Sequence, residues 1–551
     1  MKDLSKEIKA YALKNALEFG KADPSRILPK LFQHGLEKSE IKEIIPKITA
    51  TIKEINSLST AEKEKQYTEY KKLVIIKEEK PHELPELPNV KGAVITRLPP
   101  EPSKYLHLGH ALSFILNSIY AKRYNGKCLL RFEDANPEKV SQEYVDAILD
   151  DIDNYLEIKY ESIKYVSEDM PLFYKYAEKI INSDNAYMCF CDREKMQKLR
   201  FEGKSCECHK NPIKKNKEEW EKFLEGKYMK GEAILRLKGD MKSKNYVMRD
   251  PVIFRAVAEK HFIHGNKYKI WPMYDFYNPI EDSIMGITHI LRSNEFETRV
   301  ELQDYIKDLL KLNKQTIIQY GRFTVIDTTT KGREIRDLIK SGEYIGWDDP
   351  RLVTLKALRR RGITKEALYE LTNQMGLSKK QVNLDFDMIA AINRKIIDPI
   401  ANRYSFVKDP VALKIKNRPN LKTIKVPIHP DKKETRTINV DTETIFISKE
   451  DFKKFKGKEI RLLHLYNIKL GNKDDSADFV SLENKDIPKI NWVSKGVQCT
   501  ILMPDCSLTT GLAEEAIERL KKGKLLQFER LGFARFDNKK KGVYETWFAH
   551  K

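Results

Sequence analysis

Apolar residues recur at helical spacing near the start of the chain, where Leu4, Ile8, Tyr11 and Ala12 share one face and Gly20 offers a stop. A second segment rich in Ile and Lys, 41–53, reads as helix, with Pro46 predicted to start or break it. The charged stretch 61–72 follows, and Pro81, Pro85 and Pro88 punctuate a linker. From Val90 the period changes. The apolar run Ala93-Val94-Ile95-Thr96 predicts a strand, the Pro-rich stretch 99–103 a tight turn, and Leu112, Ile115, Leu116 and Ile119 a helix. Lys127 to Asp134 reads as a short apolar strand ending in two acids, and 140–155 as an amphipathic helix. The α/β pattern resumes near 285–292 after a Cys-bearing insertion, and 352–362 reads as a helix with an Arg cluster at its end, stopped by Gly362. Past Pro399 the signal becomes short strands, among them 423–428 and 525–530, between Gly, Asp, Asn and Lys turns, which predicts β-barrel domains. The middle of the chain is therefore expected to be an α/β half with functional residues at the carboxyl ends of its strands.

Composition narrows the function classes. A chain of 551 residues supports several domains and a large core. The formal net charge of +20 favours a polyanionic partner, whose phosphates would dominate affinity. Seven Cys in this length do not suggest a disulfide framework. No apolar run approaches a membrane span, and the stretch Met1 to Glu7 has no signal-peptide core, so a soluble cytoplasmic protein without membrane partners is expected.

Two clusters carry chemistry. The Pro-rich turn leads into His107-Leu108-Gly109-His110 at a helix start. A helix N-terminus offers unpaired N–H groups and the positive end of a dipole, which suits a phosphate. Gly109 lets a nucleotide approach the backbone, and two imidazoles flank it. Chemistry on ATP phosphates uses all of these parts. Farther on, Cys189-Phe190-Cys191 and Cys206-Glu207-Cys208 form two pairs separated by fourteen residues, with His209 adjoining. Four thiolates so spaced can hold tetrahedral Zn²⁺ in a closed, structural site.

His107-Leu108-Gly109-His110 resembles the HIGH signature of class I aminoacyl-tRNA synthetases, and the Pro-rich string before it resembles the glutamyl/glutaminyl subgroup. Arg131 to Pro137 resembles that subgroup's strand-end motif. Trp271 to Asn278, running on to Gly286–Arg292, resembles its second amino-acid segment. Gly346 to Arg351 resembles the segment that follows its adenylate loop, and the N-terminal helices are similar to the extension of archaeal glutamyl-tRNA synthetases. The resemblance spans nearly the whole chain.

The fold it implies is α/β: a class I synthetase Rossmann-like catalytic domain with an acceptor-binding insertion, an N-terminal helical extension, a helical connector and C-terminal β-barrel anticodon-binding domains. The implied boundaries are 1–88 for the extension, 89–185 and 285–345 for the catalytic halves, 186–284 for the insertion, 346–400 for the connector and 401–551 for the barrels. The implied activity is ATP- and Mg²⁺-dependent activation of glutamate and its transfer to tRNA(Glu), with tRNA(Gln) a second acceptor where no glutaminyl enzyme exists. A monomer is expected, with Zn²⁺ bracing the insertion.

Carried over residue by residue, the resemblance assigns phosphate chemistry to His107 and His110, with Ser103 and Gly109 beside the nucleotide. Glutamate binding falls to Arg97, Glu133, Tyr274, Asn278 and Arg292. Arg292 would pair with the substrate γ-carboxylate; the bland alternative is an ion pair with Glu295 or Glu281. Asp134 reads as an aid to the helix after Pro137. Two departures from the subgroup stand out. The adenylate loop falls at Thr329-Thr330-Lys331-Gly332-Arg333, where Gly332 replaces a signature Lys and leaves Lys331 or Arg333 as the cation. Lys104 stands where Gly is usual. A glutaminyl enzyme, or a tRNA-binding paralogue with an impaired site, are the competing readings.

Overall fold

The computed structural model describes residues 3–75, 83–326, 328–440, 444–472 and 475–551, so Pro81 and the Met1–Lys2 end lie outside the described residues. The chain forms two compact units, Met1–His82 and Glu83–Lys551.

The first unit is helical. Ser5–Phe19, Pro24–Leu31, Ile41–Ser57 and Thr60–Tyr70 pack around Leu4, Ile8, Leu13, Ile27, Ile44, Ile48 and Ile55. Gly20 ends the first helix with a φ of +80°. Pro46 neither starts nor breaks the second long helix, which runs through it. Ile44, Ile48, Ile52 and Ile55 form a buried stripe along that helix. Their burial outweighs the one backbone hydrogen bond that a proline removes.

The second unit begins in the Pro segment. Pro85 and Pro88 are not in a free linker: the Pro85 carbonyl accepts from the Tyr120 hydroxyl at 2.8 Å, and the Pro88 carbonyl lies 3.0 Å from His289 Nε2. Leu84 and Leu87 are buried against Leu116 and Tyr120. The strand Ile95–Leu98 pairs in parallel with Lys127–Phe132, which pairs in parallel with Ile163–Tyr165. On its other side it abuts the parallel pair His289–Ser293 and Thr316–Tyr320, with the Thr288 N–H donating to the Ile95 carbonyl at 3.0 Å. The strand order thus runs outward in opposite directions from the junction of Ile95–Leu98 and His289–Ser293. A crevice at the carboxyl ends of the strands opens at such a point.

The helix Leu108–Arg123 returns from the first strand, with Leu112, Ile115 and Leu116 fully buried beneath it. The expected helix at 140–155 starts only at Gln142 and finishes as a π-turn over Asp151–Leu156. The expected helix at 352–362 is shorter, Leu355–Arg361, because Thr354 caps it by accepting from the Ala357 N–H at 3.1 Å. Val353 instead accepts from the Leu108 N–H at 3.0 Å, tying this segment to the His107 turn.

The insertion is an antiparallel sheet of Ala186–Cys189, Ile234–Leu237, Val252–Ala256 and Ile270–Pro272 over its own core around Phe173, Trp220, Phe254 and Trp271. The C-terminal region is β. A seven-stranded sheet begins with Asn402–Tyr404 and ends with Phe406–Lys408, so strands adjacent in sequence occupy its two edges and the sheet curls round on itself. A six-stranded sheet follows the same pattern of short strands. No helix among the described residues is long and apolar enough to cross a membrane.

Candidate functional site

Both halves of the α/β sheet send side chains into the crevice. Arg97 ends the first strand and gives its Nε to Asp282 at 3.0 Å. Arg131, fully buried on the next strand, gives Nη1 to the same Asp282 oxygen at 2.8 Å. Its Nη2 reaches Glu133 at 3.1 Å and Asn278 at 2.8 Å. Asn278 and Asp282 lie one turn apart on the helix Tyr274–Ile284, which faces them inward together. Burial would raise Asp282, but Arg97 and Arg131 outweigh it and hold the carboxyl below its usual range. Glu133 goes the other way. Burial dominates, the two guanidiniums only partly offset it, and the carboxyl titrates above its usual value. Tyr274 caps the cluster at the start of the same helix, its phenol pushed up to about 12 mainly by burial.

Arg292 enters from the strand His289–Ser293 and is 5% exposed. Neither bland partner holds it: Glu295 pairs with Arg322 at 2.9 Å, and Glu281 lies 3.7 Å from Lys164. Arg292 gives Nη1 to Gln303 at 2.9 Å, while its Nε and Nη2 are buried with no hydrogen-bond partner among the described residues. Burial lowers its pKa, and Tyr274 is the foremost group favouring the charged form. Glu281 is pushed up to about 8, chiefly by burial, so it is mostly neutral at pH 7. Three guanidiniums, those of Arg97, Arg131 and Arg292, thus face the two carboxylates of Glu133 and Asp282, and the uncompensated charge sits on Arg292. A buried cation with open donors calls for an anionic ligand.

The His107–His110 turn differs from expectation in one respect. The first N–H groups of the helix are not open to a phosphate. His107 Nδ1 accepts from the Gly109 N–H at 3.1 Å, and His110 Nδ1 accepts from the His107 N–H at 3.1 Å. The Leu108 N–H is taken by Val353. The two imidazoles form a reciprocal cap, which leaves each ring its Nε2–H as donor. Their centroids are 3.8 Å apart. Burial first, then His110 and Lys104, lower the pKa of His107, and burial then Lys104 lower that of His110 to about 3, so both rings are neutral. Gly109 has a steric role too, since a Cβ there would stand 3.1 Å from the His107 ring.

Other assigned residues are dispersed. Ser103 is buried and its hydroxyl donates to Glu101 at 2.9 Å. Lys331 caps the helix Gly332–Lys340, its side chain 75% exposed and paired with Glu334 at 2.7 Å; Arg333 is exposed. Asp134 does not aid a helix start. It accepts from the Ser167 N–H at 2.9 Å and hydroxyl at 2.6 Å and faces buried His261 at 3.5 Å, joining the strand end to the insertion. Sequence reading missed Arg131 and Asp282 as the hub. The signals were there in part: Arg131 and Glu133 alternate on one strand face, and Asn278 and Asp282 are four apart.

In the insertion, the Sγ atoms of Cys189, Cys191, Cys206 and Cys208 all lie within 4.8 Å of one another. Cys189–Cys206 is 4.0 Å and Cys191–Cys208 3.9 Å. Tetrahedral Zn²⁺ with Zn–S of about 2.3 Å needs S···S edges of about 3.8 Å, so the donor set fits. His209 turns away toward Asp250, 3.8 Å distant.

The family described as tRNA synthetases class I (E and Q), catalytic domain, matches residues 93–399. Two anticodon-binding domains of the same family match 401–485 and 489–537. Curated relatives called glutamate–tRNA ligase align over almost their whole length: one from Korarchaeum cryptofilum is 39% identical, covering 98% of each chain, and one from Pyrococcus furiosus is 38% identical over the same shares. Another, from Methanocaldococcus jannaschii, is 36% identical over 100% of both. With its catalytic and anticodon-binding regions both matched, the chain belongs to the class I tRNA synthetases of the glutamate and glutamine group.

Proposed function

We propose that this chain is a glutamate–tRNA ligase. The observation that carries the choice of amino acid is Arg292, a buried guanidinium whose Nε and Nη2 have no hydrogen-bond partner among the described residues. A γ-carboxylate satisfies it; the neutral amide of glutamine leaves the charge bare at a cost of several kcal/mol. Arg97, whose hydrogen bond uses only Nε among the described residues, has two terminal nitrogens for a substrate carboxylate. Glu133, with Tyr274 and Asn278 around it, accepts the α-ammonium. The α-carboxylate then attacks the α-phosphorus of ATP, the P–O bond to pyrophosphate breaks, and an acyl-adenylate forms. A tRNA ribose hydroxyl attacks the acyl carbon next, giving the ester and AMP. The Nε2–H groups of His107 and His110 donate to phosphate oxygens, and Mg²⁺ supplies further charge neutralisation when bound. Ser103 and Gly109 line the nucleotide side, with Lys331 or Arg333 as loop cations. Zinc braces the insertion through its four cysteines. A cytoplasmic monomer acting on tRNA(Glu), with tRNA(Gln) a second acceptor where no glutaminyl enzyme exists, completes this reading.

The deciding experiment is ATP–pyrophosphate exchange with purified chain and total tRNA, comparing glutamate with glutamine. Exchange with glutamate alone supports the proposal. Exchange with glutamine alone makes it a glutaminyl enzyme, and exchange with neither makes it a tRNA-binding paralogue.

Two further results are expected. Because Glu133 titrates above the usual carboxylate value, its charge is lost on acidification before that of an exposed Glu. The KM for glutamate should therefore rise on acidification at a higher pH than an ordinary exposed carboxyl would allow, while Glu133→Gln, weaker throughout, should show no such rise. For the metal, the wild-type chain should carry about one zinc and Cys206→Ser close to none, with a lower melting temperature. Atomic absorption and a thermal scan read both.

A further inference from the structure

Resting on the ATP-dependent reading above, we propose that Lys104, more than the exposed Lys331 or Arg333 of the 329–333 loop, is the principal cation that neutralises the polyphosphate. Lys104 lies three residues before His107, on the turn that delivers the two imidazoles. Its Nζ donates to the Thr330 carbonyl at 3.3 Å, so it reaches from that turn to the loop. Its stem rests on Gly332: a Cβ built there would stand 3.1 Å from Lys104 Cδ and 3.2 Å from its Cβ. The next turn of the same helix is latched to the same place, with Arg336 Nη1 donating to the Ser103 carbonyl at 3.1 Å.

The loop's own cations are poorly placed for the work. Lys331 is 75% exposed and neutralised by Glu334, and Arg333 is exposed. Both imidazoles are neutral and feel the Lys104 charge, which helps to keep them so. Burial also lowers the pKa of Lys104 itself, with Glu101 the foremost group opposing that, so arrival of a polyanion would relieve a strained charge. Glycine at 332 and lysine at 104 fit each other sterically. A side chain at 332 would crowd the Lys104 stem, which would have to give by a few tenths of an ångström, so the cation is favoured at one of the two positions.

The test is pyrophosphate exchange at varied ATP with glutamate and tRNA saturating. Wild-type exchange is the baseline; its absence would sink the ATP-dependent reading itself rather than this assignment. Lys104→Gln keeps a donor for Thr330 but removes the charge, and should lower kcat/KM for ATP on the order of 100-fold with the KM for glutamate and the melting temperature unchanged. Lys104→Arg should recover most of that loss. Gly332→Lys in the Lys104→Gly background should regain at least about tenfold over Lys104→Gly, whereas Gly332→Lys alone should not exceed wild type. A Lys104→Gln enzyme within about threefold of wild type, or a double variant no better than Lys104→Gly, would overturn the proposal and leave Lys104 as a latch for the loop.

Discussion

Arg292→Gln should lower kcat/KM for glutamate by about 100- to 1000-fold in pyrophosphate exchange, without lowering the melting temperature. The two effects separate because the guanidinium is not part of the scaffold's ion pairing. Its Nη1 bonds a neutral amide, Gln303, and its Nε and Nη2 are buried and unused among the described residues. The substitution takes from the folded chain one hydrogen bond to Gln303 and the contact with the Phe296 ring, offset by relief of an expensive buried charge, and takes from the ligand the group that matches its γ-carboxylate. The same logic predicts that saturating glutamate raises the wild-type melting temperature and leaves that of Arg292→Gln where it was. A variant that melts early and keeps its kinetics would make Arg292 a structural residue.

Asp282→Asn should cost about 3–5 kcal/mol of stability, since it strips two buried guanidiniums, Arg97 and Arg131, of the carboxylate they share. Asn278→Ala, which removes hydrogen bonds to Arg131 and to Asp282, should cost about 1–2 kcal/mol. Urea unfolding of the two variants against wild type measures the difference. The pH dependence has a definite sign. Asp282 is depressed in the folded state, so its contribution is complete above the unfolded carboxyl value near about 4 and is lost only as the pH falls toward the folded value. Wild type therefore keeps this contribution at pH 5. If Asp282→Asn unfolded no more easily than Asn278→Ala, the shared carboxylate would not be what holds the two strands to the helix.

The strand–turn–helix around His107 was legible because its signals are local: an apolar run, prolines, then helical spacing. The four cysteines were legible for the same reason, as two short pairs. What was not legible depends on partners remote in sequence. Arg131 meets Asp282 across 151 residues, and Asp134 meets His261 across 127, so neither strand-end residue announces its partner. The reciprocal imidazole cap was hidden for another reason: whether a histidine turns Nδ1 back to its own backbone is a rotamer choice that no spacing encodes. Pro46 shows local propensity overruled by burial, and the packing of Lys104 on Gly332 shows two isolated oddities becoming one contact.

Glu133 and Asp134 are neighbours with different allegiances. One carboxyl belongs to the amino-acid pocket through Arg131; the other is gripped by Ser167 and His261 of the body that carries the zinc-type cysteines. A single peptide unit separates the two. Any displacement of that outer body is therefore passed through one peptide bond to the carboxyl that faces Arg131.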